Sequence, residues 1–221
     1  DEWPARLLAR AARDDIEPGH YLVLDNPRGT LSGFVFVTDP VLGVVDGPTG
    51  LIRFTYAVGI NGDDVEQMLS WDPLKFAAFV GDRVPLGLTS TDRAPISADP
   101  QDRALLDEAV GSEGASIGAM HARYLEVDAE GRVDLDPAAA RALLRAARHR
   151  LLHGRSFALL NSETWLLLNP QSPTTECASD HVVVPATAEF AHELLAIFDA
   201  VPGIYRLRTA PLEFRVVNPA T

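Results

Sequence analysis

Three stretches of this sequence gather side chains that could do chemistry. The first, Gly114-Ala115-Ser116-Ile117-Gly118, matches the G-x-S-x-G pattern of a serine nucleophile. That pattern works when a strand precedes the serine and a helix follows, because the strained turn between them lifts the hydroxyl into the open. The flanking residues predict the reverse, a helix over Asp102–Val110 and a strand over Ala119–Val127, so small residues at a junction account for the match. The second stretch holds Cys177, Asp180 and His181. A nucleophilic cysteine needs a thiolate and a base held by a third group, and a zinc site needs three or four ligands. With no second Cys/His cluster near, Cys177 reads as a free thiol in a loop. The third stretch is basic: Arg141, Arg145, Arg148, His149, Arg150, His153 and Arg155. Helical spacing puts Arg141, Arg145 and Arg148 on one face. That face is either a solvated surface or a patch for an acidic segment of a partner. The sequence holds no H-E-x-x-H, G-x-G-x-x-G or Walker loop, so the reading predicts no catalytic group, metal or cofactor.

These residues need a frame. Trp3 to Asp14 reads as an amphipathic helix with Pro4 in its first turn. His20–Leu24 and Phe34–Val37 read as strands, with Asp25–Gly29 a loop between them. Leu51 to Val58 is the strongest strand pattern, and its alternation predicts that Phe54 and Tyr56 share a buried face. The acids Asp63, Asp64 and Glu66 suit a helix start, where the dipole favours negative charge. Helices follow at Pro73 and at Asp102–Val110, with a short strand expected over Leu86–Thr89. Beyond the small-residue junction, Pro137 opens a long helix to about Leu152, which Gly154 ends with a positive φ. Phe157–Leu160 and Trp165–Leu168 read as paired strands, His181–Val184 as a strand, Ala188–Phe198 as a helix, and Tyr205–Leu207 and Leu212–Val217 as closing strands. Strands and helices do not alternate regularly, which points to an α+β fold of two lobes, 1–113 and 114–221, rather than a doubly wound sheet.

Composition narrows the function. Apolar residues make up 47%, enough for packed cores. No apolar run reaches the about 20 residues of a membrane span, and the acidic start is no signal peptide. One cysteine allows no intrachain disulfide, which fits the cytoplasm. A net charge of −12 argues against nucleic acid, whose binding rests on Lys/Arg contacts to phosphate. The acids concentrate in residues 1–113, with 19 acids against 9 bases, a net −10. Such a surface steers a basic partner as well as keeping the chain soluble.

Three blocks of residues resemble the Suppressor of Fused domain family. Trp3-Pro4-Ala5 with Leu7, followed by Pro18-Gly19-His20, resembles its opening helix and first Gly–His strand. Phe34 to Trp71, with Asp39-Pro40, Val58-Gly59-Ile60 and the acidic pair Asp63-Asp64, and on to Thr89, Asp92 and Arg93, is similar to its central stretch. Glu113-Gly114-Ala115-Ser116 resembles the family's Asp-Gly-Ser turn, and Arg150-Leu151-Leu152-His153-Gly154-Arg155 with Phe157 its Arg-Leu-Leu-His-Gly-Arg-His-Phe signature.

The resemblance implies two α/β lobes around a cleft that clamps an extended peptide, partly by β-strand addition, and it implies no catalysis. In the animal member the ligand is a transcription factor of Hedgehog signalling. Bacterial relatives are thought to be immunity proteins that neutralise a toxin, and the arginine-rich, lysine-poor composition favours the bacterial branch. Some residues depart from the pattern. Asp14 stands where the animal protein has a ligand-gripping tyrosine, Gly19 runs straight into His20 without the family's aspartate, and Ala138 replaces a peptide-contacting glutamate. His153 is retained. The family's first strands, which precede the Trp-Pro helix, have no counterpart here. The resulting expectation is a cytoplasmic, non-enzymatic domain that binds a basic protein or extended peptide, a cognate toxin, through Asp14, Asp15, Glu17, His20, Tyr21, His153 and Arg155. The competing expectations are a hydrolase with Ser116 or Cys177 as nucleophile and a scaffold that sequesters a transcription factor.

Overall fold

A computed structural model describes residues 3–13, 16–48 and 50–219. The chain forms two compact units that part between Glu108 and Ala109.

In the first unit, α1 (Trp3–Ala11) leads to β1 (Tyr21–Arg28) and β2 (Leu31–Thr38). A hairpin of β3 (Val44–Gly47) and β4 (Gly50–Arg53) precedes β5 (Thr55–Asn61). Helices α2 (Asp64–Ser70), α3 (Pro73–Gly81) and α4 (Pro100–Glu113) follow, and the parting of the units falls within α4. An antiparallel sheet runs β1-β2-β5. Its middle strand is covered on both faces, with Leu31, Phe34, Val35 and Phe36 all buried. Trp3 of α1 packs 6.2 Å from the Phe34 ring, and α3 lies against β2. Asp72 caps α3 by accepting from the Lys75 amide at 2.9 Å, and Pro73 takes the first position, where a missing N–H costs nothing.

Several expectations change here. β1 runs through Asp25–Arg28, where a loop is predicted; Pro27 is tolerated because β1 is an edge strand whose register breaks between Val23 and Arg28. The predicted Leu51–Val58 strand divides at Phe54. β4 pairs with β3 in a hairpin of its own, while β5 joins the main sheet. The break is held by Asp39: its carboxylate accepts from the Val41 and Leu42 amides at 2.8 Å, and its amide donates to the Phe54 carbonyl. Phe54 is therefore 37% exposed and not core, and Tyr56 is only half-buried. Pro85–Gly87 is a 3-10 turn instead of the start of a strand.

The second unit contains β6 (Ala119–His121), β7 (Leu125–Val127), β8 (Arg132–Leu135), α5 (Pro137–His149), β9 (Phe157–Leu160), β10 (Trp165–Leu168), β11 (Glu176–Cys177), β12 (His181–Val184), α6 (Ala188–Ile197), β13 (Gly203–Arg206) and β14 (Glu213–Val216). Two mixed sheets result, β11-β12-β10-β9-β6 and β13-β14-β8-β7. The predicted Ala119–Val127 strand is two strands, one in each sheet. The chain switches sheets where the Ala122 amide meets the Leu160 carbonyl and the Tyr124 amide meets Asp136. Asp136 also caps α5, accepting from the Ala138 and Ala139 amides. The inner face of α5 is mostly alanine, Ala139, Ala140, Ala142, Ala146 and Ala147, which lets α6 and both sheets close onto one core around Leu143, Phe190 and Phe214. The whole is α+β, as the pattern predicts.

Candidate functional site

The predicted binding residues fall in two places, one in each unit. Asp14 and Asp15 lie outside the described residues. In the first unit Glu17, Pro18, Gly19 and His20 form a tight turn. The His20 amide donates to the Glu17 carbonyl at 3.0 Å, and the Glu17 amide donates to His20 Nδ1 at 3.1 Å. With Nδ1 accepting, the neutral ring carries its proton on Nε2. The turn is stitched to β2, since Gly19 donates to the Phe36 carbonyl and Phe36 donates back to that of His20. Glu17 and His20 are exposed, and Tyr21 opens β1 opposite Val35.

Pro18 forms one wall of a cleft of about 570 Å³ between this sheet and α3. Val37, Tyr56 and Val58 supply the sheet side, and Leu74, Ala77 and Ala78 the helix side. The lining is mostly apolar; its polar side chains are Thr38 and Tyr56, whose hydroxyl donates to the Gly87 carbonyl at 2.8 Å. Burial, and then the charge of Asp39, raise the Tyr56 pKa, so the phenol stays protonated. The cleft can bury apolar side chains, and its lining offers no acid–base pair.

In the second unit, His153 and Arg155 sit where the Glu113–Ser116 turn meets the Arg150–Phe157 stretch. Gly114, at φ 68°, lies so close to the end of α5 that a Cβ would stand 2.5 Å from the His149 carbonyl oxygen and 2.8 Å from His153 Cδ2. The Ala115 amide donates to that same carbonyl. Arg150 closes the joint: its Nε donates to the Ser156 carbonyl, and its Nη1 to the carbonyls of Ala115 at 2.8 Å and Ser116 at 3.0 Å. Gly154, at φ 69°, turns the chain back, as predicted, so that the Arg155 amide bonds the Arg150 carbonyl and Arg155 Nη1 reaches the Ala115 carbonyl at 3.2 Å.

The nucleophile candidates take ordinary structural places. Ser116 follows helix α4 and precedes β6, the reverse of a nucleophile elbow. Cys177 is half-buried, and burial, then Asp128, raise its thiol pKa, which disfavours the thiolate. Cys177 pairs with Val182, so strand alternation puts the neighbouring His181 on the opposite face. There His181 stacks on Trp165, ring centroids 4.5 Å apart, with Nδ1 2.8 Å from Asp180. Among the described residues no three His, Cys, Asp or Glu side chains are grouped to hold a metal ion, and no helix is long and apolar enough to cross a membrane.

A polar network in the first unit escapes the sequence reading. Asp63 makes no side-chain cap to α2. Its neighbour Asp64 is fully buried and accepts from the Ile96 amide at 2.7 Å and the Ser97 amide at 2.9 Å. Arg93 Nη1 stands 3.8 Å from Asp64, and Arg93 Nη2 donates to Asn61 Oδ1 at 2.6 Å. Asn61 in turn donates to Thr30 and to the Ser90 carbonyl. Acids at a helix start suggest capping; only the long-range contact with residues 90–97 reveals a tie.

No family model and no curated protein sequence matches the chain. The fold nevertheless has a counterpart: this is a two-unit α+β protein with the Suppressor of Fused fold. The crystal structure of Drosophila Suppressor of Fused superposes with a TM-score of 0.72 over 100% of this chain and 72% of that one, at 17% identity. A Sufu–Fu complex structure aligns over 48% of this chain and 50% of that one, with 26% identity and a TM-score of 0.37, too low to bear on the fold.

Proposed function

We propose that this chain is a non-enzymatic binding protein that takes a basic, extended segment of a protein partner on its first unit. The observation that carries this reading is the apolar cleft walled by Pro18, Tyr56 and Leu74, set in the acidic part of the sequence. An apolar slot anchors side chains, and a net negative charge speeds the approach of a cationic chain. Glu17, His20 and Tyr21 adjoin Pro18 in sequence and supply polar contacts beside the slot. The partner we infer is a toxin that the protein neutralises in the cytoplasm. That part rests on the resemblance of the sequence to the bacterial branch of the Suppressor of Fused family and on the shared fold.

Affinity capture from the native lysate, read by mass spectrometry, tests the proposal, together with the position of the gene beside a toxin gene. Ala78 lines the cleft and is exposed, so Ala78→Trp fills the slot with little cost to the core. The expected result is one basic protein captured by the parent and lost with Ala78→Trp. Its association rate should fall as salt shortens the Debye length to ~8 Å, and further when Asp14, Asp15 and Glu17 are neutralised together. Equal capture by both proteins, with an association rate indifferent to salt, refutes the reading.

A further inference from the structure

We infer that Arg150 and Arg155 form a receptor for the carboxylates of an acidic protein segment. The two guanidiniums lie side by side, because Nη1 of each donates to one oxygen, the Ala115 carbonyl. Neither has a carboxylate partner among the described residues. By contrast, Arg132, Arg206, Arg208 and Arg215 of the same unit are ion-paired. The chain carries 31 acids against 19 Lys and Arg.

Two adjacent cations repel, and among the described residues backbone carbonyls hold them together. The mutual charge contributes to lowering the Arg150 pKa, after burial. Such a pair is relieved by an anion. The fold fixes the geometry in advance. Arg150 is clamped by three carbonyls, and Gly118 leaves room for its Nη2, which a Cβ there would approach to 3.0 Å. Arg155 is exposed, and among the described residues its Nε and Nη2, like Nη2 of Arg150, have no hydrogen-bond partner. A planar fork of N–H donors matches a carboxylate, and a pair of forks matches neighbouring carboxylates on one peptide. The net charge of −12 disfavours nucleic acid as the source of the anion.

The inference adds an acidic contact to the protein-binding reading and rests on it. Its test uses a probe of fixed composition and does not need the partner, so the two can fail separately. An acetylated tetraglutamate amide is titrated into the ¹⁵N-labelled full chain while the arginine Nε–Hε resonances are followed. The expected result is a saturable shift of the Arg155 and Arg150 signals. Arg155→Gln, which keeps a donor for the Ala115 carbonyl, should weaken binding about tenfold, the scale of a lost charge-assisted bond. Arg103→Gln, an equal charge change in the first unit, should leave it unchanged. Absence of a saturable shift, or equal affinity in Arg155→Gln, overturns the site. Succinate that binds as tightly as the peptide, or a thymidine oligonucleotide that binds more tightly, overturns its assignment to a protein segment.

Discussion

Replacing Asp64 by alanine should cost about 3–5 kcal/mol of stability, as breaking other buried pairs does. The figure follows from what the carboxylate holds. Asp64 has no exposure to solvent, and its two oxygens take the buried amides of Ile96 and Ser97. Alanine strands both donors, each worth about 1–3 kcal/mol when left unmade in the interior. It also removes the counter-charge of Arg93, whose side chain is 18% exposed. These losses overlap, so they do not sum, but together they are a large share of the ~5–15 kcal/mol of a typical domain. Asp63 provides the control. It is exposed and makes no side-chain cap bond, so Asp63→Ala should change stability by only about 0.5 kcal/mol. Urea titration followed by circular dichroism measures both, and hydrogen exchange at the Ile96 and Ser97 amides shows where protection is lost. Equal midpoints for the two variants, or unchanged exchange at those amides, would refute the assignment of Asp64 as the tie.

Two further outcomes are open to measurement. Gly114→Ala should be far more destabilising than Gly154→Ala in the same titration. Both glycines have left-handed φ, which costs other residues about 1–2 kcal/mol, but a Cβ on Gly114 also strikes the His149 carbonyl while Gly154 faces open space; equal losses would contradict the packing. The Thr209 side chain, and then the Arg208 and Thr209 amides, bond the Glu193 carboxylate and hold its pKa down to about 2 from the usual 4.5. A depressed carboxylate stabilises the fold above its unfolded pKa and loses that contribution as pH falls through the folded one. The difference in Tm between the parent and Glu193→Gln should therefore be full above about pH 4.5 and vanish towards pH 2; a difference independent of pH would sink this account.

Elements held by local chemistry are legible in the sequence. Pro73, Pro137 and the turn at Gly154 announce helix boundaries because Pro and Gly restrict or free the backbone by themselves. Phe157–Leu160 and Trp165–Leu168 are close enough for their pairing to be read from the short connection. Long-range assignments are not legible. Leu51 to Val58 alternates without interruption, and nothing in those residues says that two different sheets claim its halves. The decision is made at Asp39, whose turn precedes the separate pairing of β3 with β4. Asp64 is hidden for a similar reason: an acid at a helix start has a local explanation, and its real partners lie some thirty residues on. The residues proposed for binding show the same division. The turn at Glu17–His20 is local, whereas the meeting of Gly114 with the end of α5, which places Arg150 beside Arg155, depends on tertiary contact.

The β3–β4 hairpin bears on how this protein behaves when concentrated. Val44, Val45, Leu51 and Ile52 are all at least 45% exposed, and among the described residues no third strand pairs with the two-stranded sheet. A bare strand edge is a template for fibril growth. Here each apolar pair is only two residues long, closed by Asp46 on one strand and Arg53 on the other. Register sets Asp46 across from Leu51 and Arg53 across from Val44. A second hairpin stacking in register would set aspartate on aspartate and arginine on arginine, so each added layer accumulates like charge. These two side chains would oppose self-assembly through the hairpin, which should then be strongest in high salt, where their repulsion is screened.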